Sequence, residues 1–140
     1  HGALLFRLAN YFKSKHILQF GPSMGLSTLY LTSYASDLKC IALENVPEFA
    51  SIARIAFGKA ARNPVDLRVG SYKDLLPKAL KDMEQLDFVF FNTLYEQQNN
   101  SWLFEECLNM CTAIRSLFSK ASKPAAKCAN SGGKYAVIPK

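Results

Sequence analysis

The feature that most constrains this chain is HILQFGPSMGLST at 16–28, where an apolar run stops on Gly21-Pro22 and reaches a second glycine, Gly25, within four residues. A run that short reads as a buried strand, and Gly-Pro reads as the turn that ends it. The following stretch, 26–36, carries a helical apolar pattern. Strand, glycine turn and helix together open a βαβ unit. The glycines allow a tight turn and close backbone approach, and the amides at the helix start face whatever binds there. Two glycines four apart, with no third, do not make the Gly-x-Gly-x-x-Gly dinucleotide fingerprint. No Gly-Lys-Ser/Thr follows either, so this is not a phosphate loop, and a nicotinamide-dependent oxidoreductase is disfavoured. Alone, the two glycines are also compatible with a plain strand-to-helix turn.

The same alternation continues along the chain. Residues 2–13 place Leu4, Leu5, Leu8, Tyr11 and Phe12 on one helical stripe, which predicts a covering helix. A second strand is expected at 38–44 and a helix at 48–61, with Pro47 in its first turn. A third strand at 65–69 ends at Gly70, a turn and helix occupy 72–83, and LDFVFF at 86–91 is the strongest strand signal. Asn99 and Ser101 offer caps for a helix starting near Trp102 and running through Phe104, Leu108 and Cys111, with 113–118 as an extension. The Lys-, Ala-, Ser- and Gly-rich stretch 119–133 reads as a mobile connection, and GGKYAVIP at 132–139 as a fifth strand. Strands alternating with helices, several of them uninterrupted apolar runs, predict a doubly wound α/β fold with a mostly parallel sheet. The 140 residues, 49% hydrophobic and 20% charged, form one expected domain over 1–140. Starting at His1 without an initiator Met and stopping after the fifth strand, the chain is expected to be a piece of a longer one.

Charge and cysteines narrow the class. The net charge of +6 comes from scattered Lys and Arg and a lysine-rich tail, not from a basic stripe interleaved with aromatics. That pattern argues against nucleic-acid binding, while a basic face favours an anionic small-molecule partner. No apolar run approaches a spanning length and the start lacks a cleavage site, so no membrane partner is expected and a cytoplasmic protein is. The four cysteines read as reduced thiols. Cys107 and Cys111 lack a second pair or a nearby His at zinc spacing, and no metal site is expected.

Glu44 ends the second strand about twenty residues after the glycine loop. An acid there can accept hydrogen bonds from both hydroxyls of a ribose. The competing reading is a solvent-facing acid that caps the helix after Pro47.

ILQFGPSMGLSTLYL, IALENVPE with the ARIAF helix, VGSYKDLLP and LDFVFFN together resemble the class I S-adenosylmethionine-dependent methyltransferases, especially the O-methyltransferase-like branch, over roughly residues 2–110. The resemblance implies a Rossmann-like methyltransferase fold and S-adenosylmethionine as cofactor. Gly21, Pro22, Ser23 and Gly25 would line its methionine moiety, with Ser27 and Thr28 at the helix start. Glu44 would bind the ribose. Asn45 and the Gly70-Ser71-Tyr72 turn would lie near the adenine, and Phe91 and Asn92 would face the sulfonium and the acceptor.

Two positions depart from that family. Its first strand commonly ends acid-x-Gly, where this chain has Gln19; its fourth usually ends in Asp, where this chain has Asn92. A metal-dependent mechanism is therefore not expected, because hard divalent ions want several carboxylate oxygens and Asn92 with Glu96 is a thin set. No catalytic base is assigned. Tyr95, Glu96 and His16 are candidates, with His16 read chiefly as an ordinary strand residue. Trp102, Phe104 and Phe90-Phe91 read as core before acceptor platform. The implied function is methyl transfer to an unknown small-molecule acceptor. Its rival is a catalytically degenerate homologue that binds S-adenosylmethionine or S-adenosylhomocysteine as a sensor or partner subunit. Homodimerisation is left open.

Overall fold

A computed structural model describes residues 2–61, 63–92, 101–110, 129–130 and 135–137. The helices are α1 (Gly2–Phe12), α2 (Leu26–Thr32), α3 (Pro47–Ala60), α4 (Tyr72–Met83) and α5 (Ser101–Met110). The strands are β1 (His16–Phe20), β2 (Lys39–Glu44), β3 (Val65–Val69), β4 (Phe88–Phe91), β5 (Ala129–Asn130) and β6 (Tyr135–Val137).

The strands form one sheet in the order β3-β2-β1-β4-β6-β5. β1 runs parallel to both β2 and β4, and β2 runs parallel to β3. The chain leaves β1, winds outward through β2 and β3, then returns to lay β4 on the other side of β1. That reversal opens a crevice beyond the carboxyl ends of β1 and β4, where open α/β sheets bind ligands. The doubly wound, mostly parallel Rossmann-like architecture is thus as the sequence predicts.

Alternation along each central strand divides the core in two. Ile17, Cys40, Phe88 and Phe90 pack with Leu5 and Ala9 of α1 and Leu31 of α2. On the other face Leu18, Phe20, Ile41, Leu43, Val89 and Phe91 pack with Tyr72, Leu76, Ala79, Leu80 and Met83 of α4 and with Leu103 and Cys107 of α5. Strands β1, β2 and β4 are buried along nearly their whole length. This is why their sequences read as continuous apolar runs. Phe90 and Phe91 are core, and Trp102 packs against the α4/α5 cluster.

Two sequence expectations need correction. The second helix ends at Thr32, not at 36. Asn63 ends it, its side-chain amide donating to the carbonyls of Thr32 at 3.0 Å and Ala35 at 2.7 Å. These bonds supply partners that the helix end lacks. Of the strand expected at 132–139, Tyr135–Val137 is a strand, antiparallel to β4, and 132–134, 138 and 139 lie outside the described residues. The stretch 119–133, read as a connection, contains the two-residue strand β5, paired with β6; its other residues, like the extension at 113–118, Asn99 and Cys111, lie outside the described residues.

Candidate functional site

The crevice is built around the loop from Gly21 to Gly25. Gly21 has φ +64°, Ser23 φ +54° and Gly25 φ +87°, so three of five residues occupy the left-handed region. Two are glycines, for which this conformation carries no steric cost; Ser23 adopts it at a cost of about 1–2 kcal/mol. At Gly25 space matters as well as φ, because a Cβ there would stand 2.7 Å from the Phe57 ring of α3.

Neighbouring strands pin the loop. The Gly21 amide donates to the Leu43 carbonyl at 2.9 Å, and the Gly25 amide closes the turn on the Pro22 carbonyl at 2.9 Å. From β2, Glu44 takes the Ser23 amide on Oε2 at 2.9 Å and the Val46 amide on Oε1 at 3.0 Å. Just after β4, Asn92 donates its backbone amide to the Phe20 carbonyl at 2.9 Å and its side-chain Nδ2 to the Gly21 carbonyl at 2.9 Å. Glu44 is 2% exposed, so it is not the solvent-facing acid of the competing reading, although one oxygen does hold the residue preceding α3.

Gln19 faces the other way, into the start of α2. Its Nε2 donates to Ser27 Oγ at 2.7 Å and its Oε1 accepts from the Thr28 hydroxyl at 2.8 Å. The residue is fully buried, and both halves of its amide are satisfied. A carboxylate at this position would have no proton for Ser27.

Below the loop lies an aromatic floor. Phe20 stacks on Phe91 with ring centroids 4.7 Å apart, and Tyr72 meets Phe20 edge-on at 5.4 Å. The Tyr72 hydroxyl donates to Asn45 Oδ1 at 3.2 Å. Burial, with a smaller push from the Glu44 charge, raises the Tyr72 pKa far above the ordinary tyrosine value. Tyr72 is therefore a neutral donor at physiological pH. Ser71 caps α4 by accepting the Lys73 amide at 3.3 Å, and the Gly70 amide donates to the Glu44 carbonyl at 2.9 Å.

Of the sequence-derived site residues, Gly21, Pro22, Ser23, Gly25, Glu44, Asn45, Gly70, Ser71 and Asn92 sit at the carboxyl ends of β1, β2, β3 and β4 or on the turns that follow, Tyr72 opens α4, and Ser27 and Thr28 lie in the first turn of α2 with their hydroxyls bonded to Gln19. His16 lies elsewhere. It opens β1 at the opposite end of the strands, where its Nδ1 lies 3.1 Å from Asp87 Oδ2. Tyr95 and Glu96 lie outside the described residues. Sequence reasoning did not anticipate the bonds from Gln19 or from Asn63. Among the described residues no cluster of three or more His, Cys, Asp or Glu side chains could hold a metal ion, and no helix is long and apolar enough to cross a membrane.

No protein-family model matches the chain, and no curated protein does. Solved structures do. An O-methyltransferase from Bacillus cereus in complex with SAH has a TM-score of 0.71 and 25% identity, over 88% of this chain and 62% of that one. The chain therefore spans less than two thirds of that enzyme's length. TomG, a Streptomyces achromogenes O-methyltransferase involved in tomaymycin synthesis and solved with SAM, has a TM-score of 0.60 at 18% identity, covering 99% of this chain and 79% of its own. A SAH-bound methyltransferase from Podospora anserina gives 0.60 at 15%, over 99% and 77%. Strand order, glycine loop and these likenesses define the fold class, a Rossmann-like α/β domain. Within it, the chain has the class I S-adenosylmethionine-dependent O-methyltransferase-like fold, as the sequence resemblance implies.

Proposed function

We propose that this chain binds S-adenosylmethionine between the Gly21-to-Gly25 loop and Glu44 and transfers its methyl group to a small-molecule acceptor. The observation that carries the reading is the state of Glu44. Its carboxylate is buried and each oxygen accepts one backbone amide, which leaves a further lone pair on each oxygen. Two adjacent acceptors suit the two neighbouring hydroxyls of a ribose. The acid is already withdrawn from bulk water, so a hydroxyl reaching it gains a charge-assisted bond without further desolvation of the carboxylate.

The residues present fit the cofactor. Glu44 would hold the ribose, the loop would hold the methionine part, and Asn45 with the Gly70-Ser71-Tyr72 turn would border the adenine. S-adenosylmethionine, when bound, supplies a methyl carbon already activated by the sulfonium. The chain's own task is alignment: it fixes the loop through Glu44 and Asn92 so that an acceptor nucleophile can approach opposite the breaking C–S bond. Transfer to the acceptor would leave S-adenosylhomocysteine, and the acceptor's proton would pass to solvent or a base. The net charge of +6 would suit an anionic acceptor, and the buried thiol of Cys40 would suit a cytoplasmic setting.

A second reading, binding of S-adenosylmethionine or S-adenosylhomocysteine without methyl transfer, draws support from Gln19 and Asn92. Both are neutral amides engaged in holding the loop and its helix. Calorimetry with both ligands, on the chain and on Glu44→Ala, tests binding; transfer of labelled methyl to an acceptor panel separates the two readings. Absence of binding of either ligand at millimolar concentration to the unmutated chain overturns both.

A further inference from the structure

Asn92 occupies the position where the resemblance expects an acid, and its geometry assigns it a different task. Its backbone amide donates to Phe20 O and its side-chain amide to the next carbonyl along, Gly21 O, both at 2.9 Å. One residue thus ties β4 to two successive carbonyls at the point where β1 becomes the loop. The Gly21 amide is meanwhile held by β2 through Leu43. Both peptide groups flanking Gly21, at φ +64°, are thereby set by neighbouring strands.

The bonding has a polarity. Glu44 is an acceptor and holds an amide of the loop; Asn92 is a donor and holds a carbonyl. An ionised Asp at 92 would face the Gly21 oxygen with acceptors only, whereas a protonated Asp carries one O–H and could donate as Asn92 does. We propose that Asn92 is a positioning residue that shapes the cofactor loop by donating a hydrogen bond to the Gly21 carbonyl, so that this site requires a neutral donor where its relatives' pattern has an acid. The functional part of this inference rests on the proposed binding of S-adenosylmethionine; the structural part does not.

The titratable groups around the loop, among the described residues, are Glu44 at the end of β2 and Tyr72 at the start of α4. Glu105 and Glu106 on α5 are exposed. His16 belongs to the far end of β1. Comparing Asn92→Asp with Asn92→Ala at each pH separates the effect of the new carboxyl from the loss of the amide.

The test is Asn92→Asp and Asn92→Ala beside wild type, measured for thermal stability without ligand and for S-adenosylhomocysteine affinity by calorimetry, at pH 5 and pH 8. The aspartate's pKa is raised in the folded state, because only its protonated form bonds to Gly21; its stabilising bond is present at low pH and lost as pH rises through that pKa. Asn92→Asp is expected to approach wild type at pH 5 in both readouts and to bind about tenfold more weakly at pH 8, the scale of one lost bond with a buried acceptor left unpaired. Asn92→Ala is expected to be impaired alike at both pH values. The proposal is overturned if the stability gap between Asn92→Asp and wild type does not narrow on acidification. If wild type binds no ligand, the function reading fails while the stability profile still decides this point. If Asn92→Asp folds at neither pH, Asn92→Ala decides: wild-type affinity in it overturns the proposal, and weaker affinity at both pH values supports it.

Discussion

The carboxylate of Glu44 and the amide of Ser23, 21 positions apart in the chain, lie 2.9 Å apart across the ends of two adjacent strands. That bond holds a non-glycine residue at positive φ in the middle of the loop. The acid is buried, and each of its oxygens accepts a backbone amide. The group proposed to receive the ribose therefore also shapes the loop beside it.

Glu44→Gln separates charge from size. A glutamine can accept from one of the two amides but turns an NH2 toward the other. The expected cost is about 1–3 kcal/mol of stability, from one unpaired buried amide. Affinity for S-adenosylhomocysteine should fall about tenfold or more, because the charge-assisted bonds are lost. Urea denaturation and calorimetry measure the two effects, and unchanged affinity in a folded Glu44→Gln protein would remove the acid from the proposed site.

Gly25→Ala should destabilise for two reasons, positive φ and the Phe57 ring. The expected loss is about 1–3 kcal/mol, of which the strained backbone accounts for about 1–2. In a Phe57→Ala background the cost of the same substitution should shrink without vanishing. A cost that is unchanged in that background would mean the ring yields freely.

Gln19→Met tests the buried amide. It preserves shape while leaving the Ser27 and Thr28 hydroxyls without their partner, and about 1–3 kcal/mol should be lost. Denaturant midpoints would show it. A neutral result would mean that the hydroxyls find other partners at the start of α2.

At the opposite end of the strands, Asp87 offers a pH prediction. Its burial works to raise the pKa, but hydrogen bonds from Gln85, from the Lys15 and His16 amides and from the His16 ring outweigh it, and the net shift is downward. A carboxylate with a depressed folded-state pKa stabilises above its unfolded value, and that contribution is lost as pH falls through the folded one. Wild type should therefore exceed Asp87→Asn in stability at neutral pH, and the gap should close below the ordinary carboxylate range near 4. Thermal melts from pH 7 downward would read it; a constant gap would show that the charge is not what matters.

Much of this site was legible because its residues are extreme types. Gly21 and Gly25 announce special φ, and an acid ending an apolar strand, as Glu44 does, demands a reason. The strands of the core were legible from their unbroken apolar runs. What escaped depends on partners far away in the chain: Asn92 meets Gly21 over a separation of 71 residues, and Asn63 meets Thr32 over 31. Amide side chains are ambiguous in a sequence, since they donate and accept equally well. Local pattern likewise carried α2 to residue 36, past Thr32, because nothing nearby marks the stop. A strand of two residues such as β5 has no period to detect.

The bonds from Asn63 to α2 bear on where this chain tolerates changes in length. Links between a helix and a strand commonly lie at the surface, where an extra residue is usually absorbed, but Asn63, in the link between α3 and β3, is buried. Here an extra residue would draw Asn63 away from the carbonyls of Thr32 and Ala35 and loosen the far end of the helix that the glycine loop feeds. Insertions at 61–64 should consequently be felt at the crevice, whereas equal insertions beside the exposed Glu84 and Gln85 should pass unnoticed there.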